Sequence, residues 1–360
     1  MLLRRKRHAA SPRSLRCLYT KHSVECTLYQ HDCSETALTT LICPPKPSLE
    51  EFIETCTPLA IIESLEQEMS TRVSSIAAAL LDYQPSDDPV ENLARFLQAD
   101  ANFLGIILAL TNLSQERFLR ILSAERFARG DFGREWTIKR VVRKLKQETG
   151  FAERVAQLFL EGRNSQLLIE QVAAFYLDQL SLPANWDRVI RDPQLVQNVI
   201  RRKLAGEYTD RKGDAVENII RAHLDSIQLH YGITHRKGQV QFIGKEVDHA
   251  IPSTADPFVF IMTSYMETTS SLQTTRANEQ SEIYGLIQRE NRRHPGTNRV
   301  FVNFVDGAGW LARRSDLRKL HAGCDYIINL KTLDRLEAII CKYVPEKYFT
   351  TRPRPQVAEG

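Results

Sequence analysis

The sequence predicts an α+β/α/β protein, an N-terminal all-helical domain followed by a mixed β-sheet covered by helices. Three observations carry this reading. With 360 residues and 42% hydrophobic content, the chain can bury the core of two domains or one large one. From Leu49 to about residue 204, apolar residues recur at three- and four-residue spacing, the mark of amphipathic helices. After that, β-branched runs alternate with helix-length segments, as in a sheet covered on both faces.

Charged residues make up 26% of the chain, and its net charge of +4 permits a polyanionic partner without requiring one. The most apolar run, FLGIILAL at 103–110, is far short of the roughly 18 residues that span a bilayer, so no membrane and a cytoplasmic location are expected. The opening MLLRRKRH lacks the apolar stretch of a secretory signal and reads as a disordered start or a basic arm that touches nucleic acid. Of seven cysteines, five (Cys17, Cys26, Cys33, Cys43 and Cys56) lie near the start with no CxxC pair. Their irregular spacing fits a reducing compartment better than a disulfide framework or a zinc site.

Residues 1–48 read as a weakly structured lead, with SVECTLYQ as a single strand and CPPKPS as the break that ends it. The helical domain covers 49–204. Ser48 and Glu51 are spaced as a capping box for its first helix, and Ser114 is placed to cap a later one. In WTIKRVVRKLKQE, Arg140, Arg143, Lys144 and Lys146 are interleaved with Ile138, Val141, Val142 and Leu145. That pattern is either a solvated helix face or a phosphate contact.

The character changes at RKGDAV. Gly213 is expected to open a turn and Asp214 to cap a helix that carries Glu217, with Val216, Ile219, Ile220 and Leu224 on its buried side. QVQFI and KEVDHAIP read as a hairpin or bent strand, and PFVFIM as a buried strand. TTRANEQSEIYGLIQREN is long enough to cross a sheet, NRVFVNFVD is a second apolar strand, and DGAGW ends it in a tight turn with Trp310 in the core. A helix over SDLRKLHAG, a strand at CDYIINL and a helix over TLDRLEAIICKY complete the 205–345 region, and 346–360 is expected to be a disordered tail.

This order puts Glu217 on a helix, Asp248 at a strand end and Glu267 just past a buried strand. Three carboxylates then meet at one sheet edge, where they suit a hard cation such as Mg2+ that stabilises charge on a phosphodiester. Asp248 stands out because Asp is disfavoured in strands and its neighbours Val247, Ala250 and Ile251 are apolar. His249 reads as a packed strand residue, and Lys245 points away from the Asp248 face of a regular strand. The hydroxyl-rich run ETTSSLQTT exceeds what one helix cap needs, and Gln273 and Arg276 follow on the first turn of the next helix. Those two, with Arg313 and Arg314 after DGAGW, are the candidate DNA-binding residues.

KGDAVE, VDHAIP, FVNFVDGAGW and CDYIINLKTL together resemble the PD-(D/E)XK nuclease superfamily and, within it, type II restriction endonucleases of the DpnII-like kind. The resemblance spans 205–345. It implies a nuclease domain in which a helix glutamate, a strand-end aspartate and an E-x-K on the next strand bind Mg2+ and orient the attacking water. Glu217 matches the helix acid and Asp248 the strand acid. The E-x-K positions fall on Met262-Thr263-Ser264, which carry neither carboxylate nor ammonium. Glu267 replaces the missing carboxylate if the strand bulges at Tyr265 and Met266.

The activity implied is sequence-specific, Mg2+-dependent cleavage of double-stranded DNA, with Glu217, Asp248 and Glu267 catalytic and Asp248 and Glu267 holding the metal. The partners implied are DNA, a second copy in a homodimer that cuts both strands of a palindrome, and a cognate DNA methyltransferase. The alternative is a DNA-binding relative that has kept the fold and lost catalysis with its E-x-K.

Overall fold

The computed structural model describes residues 41–360; the expected basic arm, the SVECTLYQ strand, and Cys17, Cys26 and Cys33 lie outside the described residues. Strand Leu41–Cys43 (β1) leads through the CPPKPS break into helix Leu49–Thr55 (α1), where Ser48 and Glu51 form the capping box that their spacing predicts. Helices Glu63–Leu81 (α2), Pro89–Ala99 (α3), Phe103–Leu110 (α4), Gln115–Ala128 (α5), Ile138–Gln147 (α6) and Thr149–Glu161 (α7) follow. Ser114 caps α5 by accepting from the Arg117 N–H. The chain then breaks into short helices, Gln166–Ile169 (α8), Ala174–Leu177 (α9) and Trp186–Val189 (α10). Aromatic packing centres this part on Phe96, whose ring stacks on Phe103 at 4.3 Å and meets Trp186 edge-on at 4.9 Å.

Helix Pro193–Tyr231 (α11) departs from the sequence reading. No break occurs at the expected 204/205 boundary or at Gly213, and Asp214 caps nothing; the helix starts at Asp192, whose carboxylate accepts from the N–H groups of Gln194 and Leu195, with Pro193 at its first position and Gly206 and Gly213 in its interior. Two interior glycines cost about 1 kcal/mol each relative to alanine. A continuous buried stripe offsets this: Val196, Ile200 and Leu204 enter the helical core, Lys212 is buried in mid-helix, and Val216, Ile220, Leu224 and Ile227 enter the sheet core. Ile219, expected in that stripe, is exposed. The helix ends at Gly232, whose φ of +78° is the left-handed turn that glycine adopts at a helix end.

Five strands form one mixed sheet in the order β2-β3-β4-β5-β6: Arg236–Val240 (β2), Lys245–Ile251 (β3), Val259–Tyr265 (β4), Val300–Asp306 (β5) and Tyr326–Ile328 (β6). β2, β3 and β4 are antiparallel neighbours, while β4, β5 and β6 run parallel. Helix Leu272–Arg293 (α12) makes the crossover from β4 to β5. Short helix Ala308–Ala312 (α13) and helix Arg314–Ala322 (α14) connect β5 to β6, and helix Arg335–Tyr343 (α15) follows. α11 and α15 pack on one face through Val216, Ile220, Leu336 and Ile339 against Ile261, Val302 and Phe304. α12 and α14 cover the other through Ala277, Ile283 and Leu317 against Phe260, Phe301 and Val305. β5 is buried along its whole length, as its unbroken apolar run predicts.

The described residues form one compact unit, and α11 crosses the expected boundary at 204/205 unbroken. A helical domain at 49–204 and a sheet domain at 205–345 therefore stand as a proposal, supported by the apolar cluster of the helices being distinct from those on the two sheet faces. Where a disordered tail was expected at 346–360, Val357–Glu359 (β7) pairs in parallel with β1. The turn in DGAGW holds a second constraint. A Cβ on Gly307, whose φ is +103°, would fall 2.2 Å from the Met266 carbonyl oxygen, and one on Gly309 would fall 2.5 Å from that of Thr268. The two glycines let the loop after β4 press against this turn. Trp310 is buried, as predicted.

Candidate functional site

The strand acid and the helix acid line the same cavity. Glu217 of α11, Asp248 of β3 and Thr263 of β4 line one cavity of about 200 Å3, together with Arg221, His235, Arg236, Lys237 and His249. A neighbouring cavity of about 210 Å3 shares Glu217 and Thr263 and adds Asp210, Asp214, Tyr265 and Arg276.

A register shift makes this arrangement. Arg236 pairs with Ala250 and Gly238 with Val247, so the single residue Lys237 faces two residues, Asp248 and His249. β3 therefore carries a bulge there, and the bulge lets both residues line the cavity while Val247 and Ala250 stay in the core on the opposite face. The Lys237 ammonium lies 3.6 Å from Asp248 Oδ1. On the other side, the Thr263 N–H (2.8 Å) and hydroxyl (3.0 Å) both donate to Asp248 Oδ2. His249 is buried beside His235, with ring centroids 5.4 Å apart. Burial, followed by the neighbouring His235 charge, pushes it down to about 4, so the ring is neutral at physiological pH. The His235 ring nitrogen is 2.8 Å from Asp225.

Strand alternation revises the third motif. Thr263 and Tyr265 share the α11 face of the sheet with Asp248, whereas Met262 packs into the core on the other face. The residues facing Asp248 are thus Thr263 and Tyr265 rather than Met262 and Ser264. Neither is a carboxylate or an amine.

Glu267 does not join Glu217 and Asp248. No bulge at Tyr265 and Met266 redirects it: its carboxylate is 2.5 Å from the Lys212 ammonium and accepts from the Tyr265 hydroxyl at 2.6 Å. Burial pulls the Lys212 ammonium down, but hydrogen bonds to Glu267 and Tyr208 outweigh it and leave the group raised. This buried pair ties the loop after β4 to the middle of α11. Among the described residues, no group of three or more His, Cys, Asp or Glu side chains gathers as a metal site. Two carboxylates lining one cavity still suit Mg2+, which commonly takes one or two protein carboxylates and completes its shell with water and phosphate oxygens.

The four candidate DNA contacts divide evenly. Gln273 is fully buried, and its side-chain oxygen accepts from the Ser270 N–H, so it fixes the start of α12. Arg313 donates to the Ser270 carbonyl and the Thr274 hydroxyl and pairs with Asp316, again within the fold. Arg276 and Arg314 are exposed, and Arg276 lines the second cavity. The hydroxyl run is used differently from a cap: Ser271, at the cap position, makes no side-chain capping bond, and the Thr274 hydroxyl donates to Asp316. Lys245, expected to point away, pairs with Glu282.

Sequence reasoning missed Lys237, Arg221 and Thr263. The basic run THRKG just before VDHAIP was the available signal, legible once β2 and β3 are laid in register.

No helix among the described residues is long and apolar enough to cross a membrane. No curated protein and no solved structure matches the chain. A family model, the DpnII restriction endonuclease, matches residues 191–338, beginning just before α11 rather than at 205. From the start of α11 into α15, this chain is thus similar to the DpnII restriction endonucleases, the DNA-cleaving family that its motifs resemble.

Proposed function

We propose that the chain is a sequence-specific, Mg2+-dependent endonuclease for double-stranded DNA, working from a PD-(D/E)XK-like core. The observation that carries this reading is that Glu217 and Asp248 line one cavity together with Arg221, Arg236 and Lys237. The strand order supports the core assignment: an antiparallel β2-β3-β4 unit, then β5 and β6 added in parallel after a crossover helix.

Glu217 and Asp248 would hold Mg2+, which when bound supplies charge stabilisation at the phosphodiester and a more acidic water. Thr263 holds the Asp248 carboxylate in one orientation through two donors. Lys237, whose ammonium lies beside Asp248, would take the part of the missing E-x-K lysine toward the scissile phosphate and the attacking water. Arg221 and Arg276 engage flanking phosphates, Arg276 from the second cavity, and Arg314 adds a contact from α14. His249, neutral and buried, shapes the cavity wall. Glu267, expected as a third carboxylate ligand, has in this reading the supporting role of anchoring the loop after β4 through Lys212. A homodimer acting in the cytoplasm on a palindrome, beside a cognate DNA methyltransferase, completes the proposal.

The second reading, a DNA-binding protein without catalysis, is favoured by the E-x-K positions falling on Met262-Thr263-Ser264 and by Thr263 and Tyr265, on the Asp248 face, being neither acid nor amine. One assay separates the two. Purified protein is incubated with Mg2+ or Mn2+ on unmethylated and methylated DNA of varied sequence, alongside Asp248→Asn and Glu217→Gln. Discrete fragments from the wild type, with loss of at least about 100-fold in each variant, support the nuclease. Salt-dependent binding with no cleavage under any condition leaves the binding protein.

A further inference from the structure

Helix α6 (IKRVVRKLKQ) places five cations and no carboxylate in ten residues, in a chain whose net charge is only +4. Its buried face is settled: Val141 and Leu145 are inaccessible in the helical core. Two of the cations are committed. Arg140 and Lys144 sit over the Trp136 ring, at 4.9 and 5.2 Å from its centroid, and Lys144 also pairs with Glu148. Lys139, Arg143 and Lys146 are exposed, and among the described residues none of the three makes an ion pair.

Those three follow one another at four- and three-residue steps and so form a single stripe along the helix, about 6 and 4.5 Å apart along its axis. On the preceding α5, by contrast, Arg120 faces Glu116 and the C-cap Arg129 faces Glu125, each one turn away. On α6 the positions one turn away hold further cations, which repel one another unless a polyanion covers them. We propose that the Lys139, Arg143 and Lys146 stripe, none of whose residues lines the Glu217 and Asp248 cavity, is a docking surface for the phosphate backbone of duplex DNA that is blind to sequence. This rests on the reading of the chain as a DNA-binding nuclease, and charge complementarity selects the occupant: a row of cations without acids fits a row of phosphates.

The test is the salt dependence of binding to two duplexes of unrelated sequence, measured by fluorescence anisotropy with Ca2+ in place of Mg2+ to hold off cleavage. The wild type is compared with Lys139→Gln/Arg143→Gln/Lys146→Gln. A control variant, Arg95→Gln/Arg120→Gln/Arg163→Gln, removes the same charge from arginines that face acids. Each phosphate contact adds about 0.9 to the slope of log K against log salt, so the stripe variant should lose roughly 2 to 3 from that slope on both duplexes. The control should keep it. A wild type that does not bind, or binds with no salt dependence, removes the parent reading. A wild type that binds steeply while the stripe variant keeps its slope, or while the control loses as much, overturns the stripe alone. Circular dichroism of all three proteins confirms that the fold is intact.

Discussion

Thr263 holds Asp248 through two bonds to one oxygen, its backbone N–H at 2.8 Å and its hydroxyl at 3.0 Å. Thr263, the middle residue of the positions where the resemblance calls for an E-x-K, thus orients the strand acid. The other carboxylate oxygen faces Lys237. An aspartate fixed between two strands in this way is prepared to hold a cation without first losing side-chain freedom.

Thr263→Val keeps the size of the side chain and the backbone N–H bond but removes the hydroxyl. It should lower cleavage about 10-fold and raise the Mg2+ concentration for half-maximal activity, as loss of one supporting bond to a metal ligand does. A metal titration under single-turnover conditions reads both effects. An unchanged titration would mean that the backbone bond alone positions Asp248.

Glu267→Ala should destabilise the fold by about 3 to 5 kcal/mol, because the buried Lys212 ammonium is left without its carboxylate. Replacing both partners with apolar residues, Lys212→Met/Glu267→Leu, should recover most of that stability in urea melts. Cleavage should recover with it. A stable double variant that does not cut DNA would return Glu267 to the metal.

His249 gives stability a defined pH dependence. Its folded-state value of about 4 lies below the usual 6.5, so between those limits the unfolded chain binds more protons than the folded one. Stability from this group is full above about pH 6.5 and is lost as pH falls toward 4, by roughly 3 kcal/mol at most. His249→Leu should flatten that part of the profile. An identical pH dependence in the variant would show that other groups carry it.

The glycines of α11 and of the turn after β5 should respond in opposite directions. Gly213 lies inside a helix, and a Cβ there meets nothing within 4 Å, so Gly213→Ala should stabilise by about 0.5 to 1 kcal/mol. Were Gly213 the turn that its sequence context implies, the same change would be neutral or harmful. Gly307→Ala combines positive φ with a clash against the Met266 backbone and should cost at least about 2 kcal/mol. Thermal melts of the two variants should therefore shift to either side of the wild type.

The sequence by itself determined what depends on neighbours along the chain. The Ser48 and Glu51 capping box, the Ser114 cap, the buried β5 and the order of helices and strands all arise within a few residues. So does the placement of Glu217 on a helix and Asp248 on a strand. Tertiary structure decided what depends on residues far apart. The bulge that turns Asp248 and His249 toward the cavity exists only in the pairing of β3 with β2, because register is a property of two strands. Glu267 is captured by Lys212 from another element, and no local pattern announces a buried ion pair. α11 runs through Gly206 and Gly213 because its buried stripe is packed along nearly its whole length, and that burial outweighs a glycine penalty of about 1 kcal/mol each. The tail pairs with β1 for a related reason: a strand of three residues becomes legible only beside its partner.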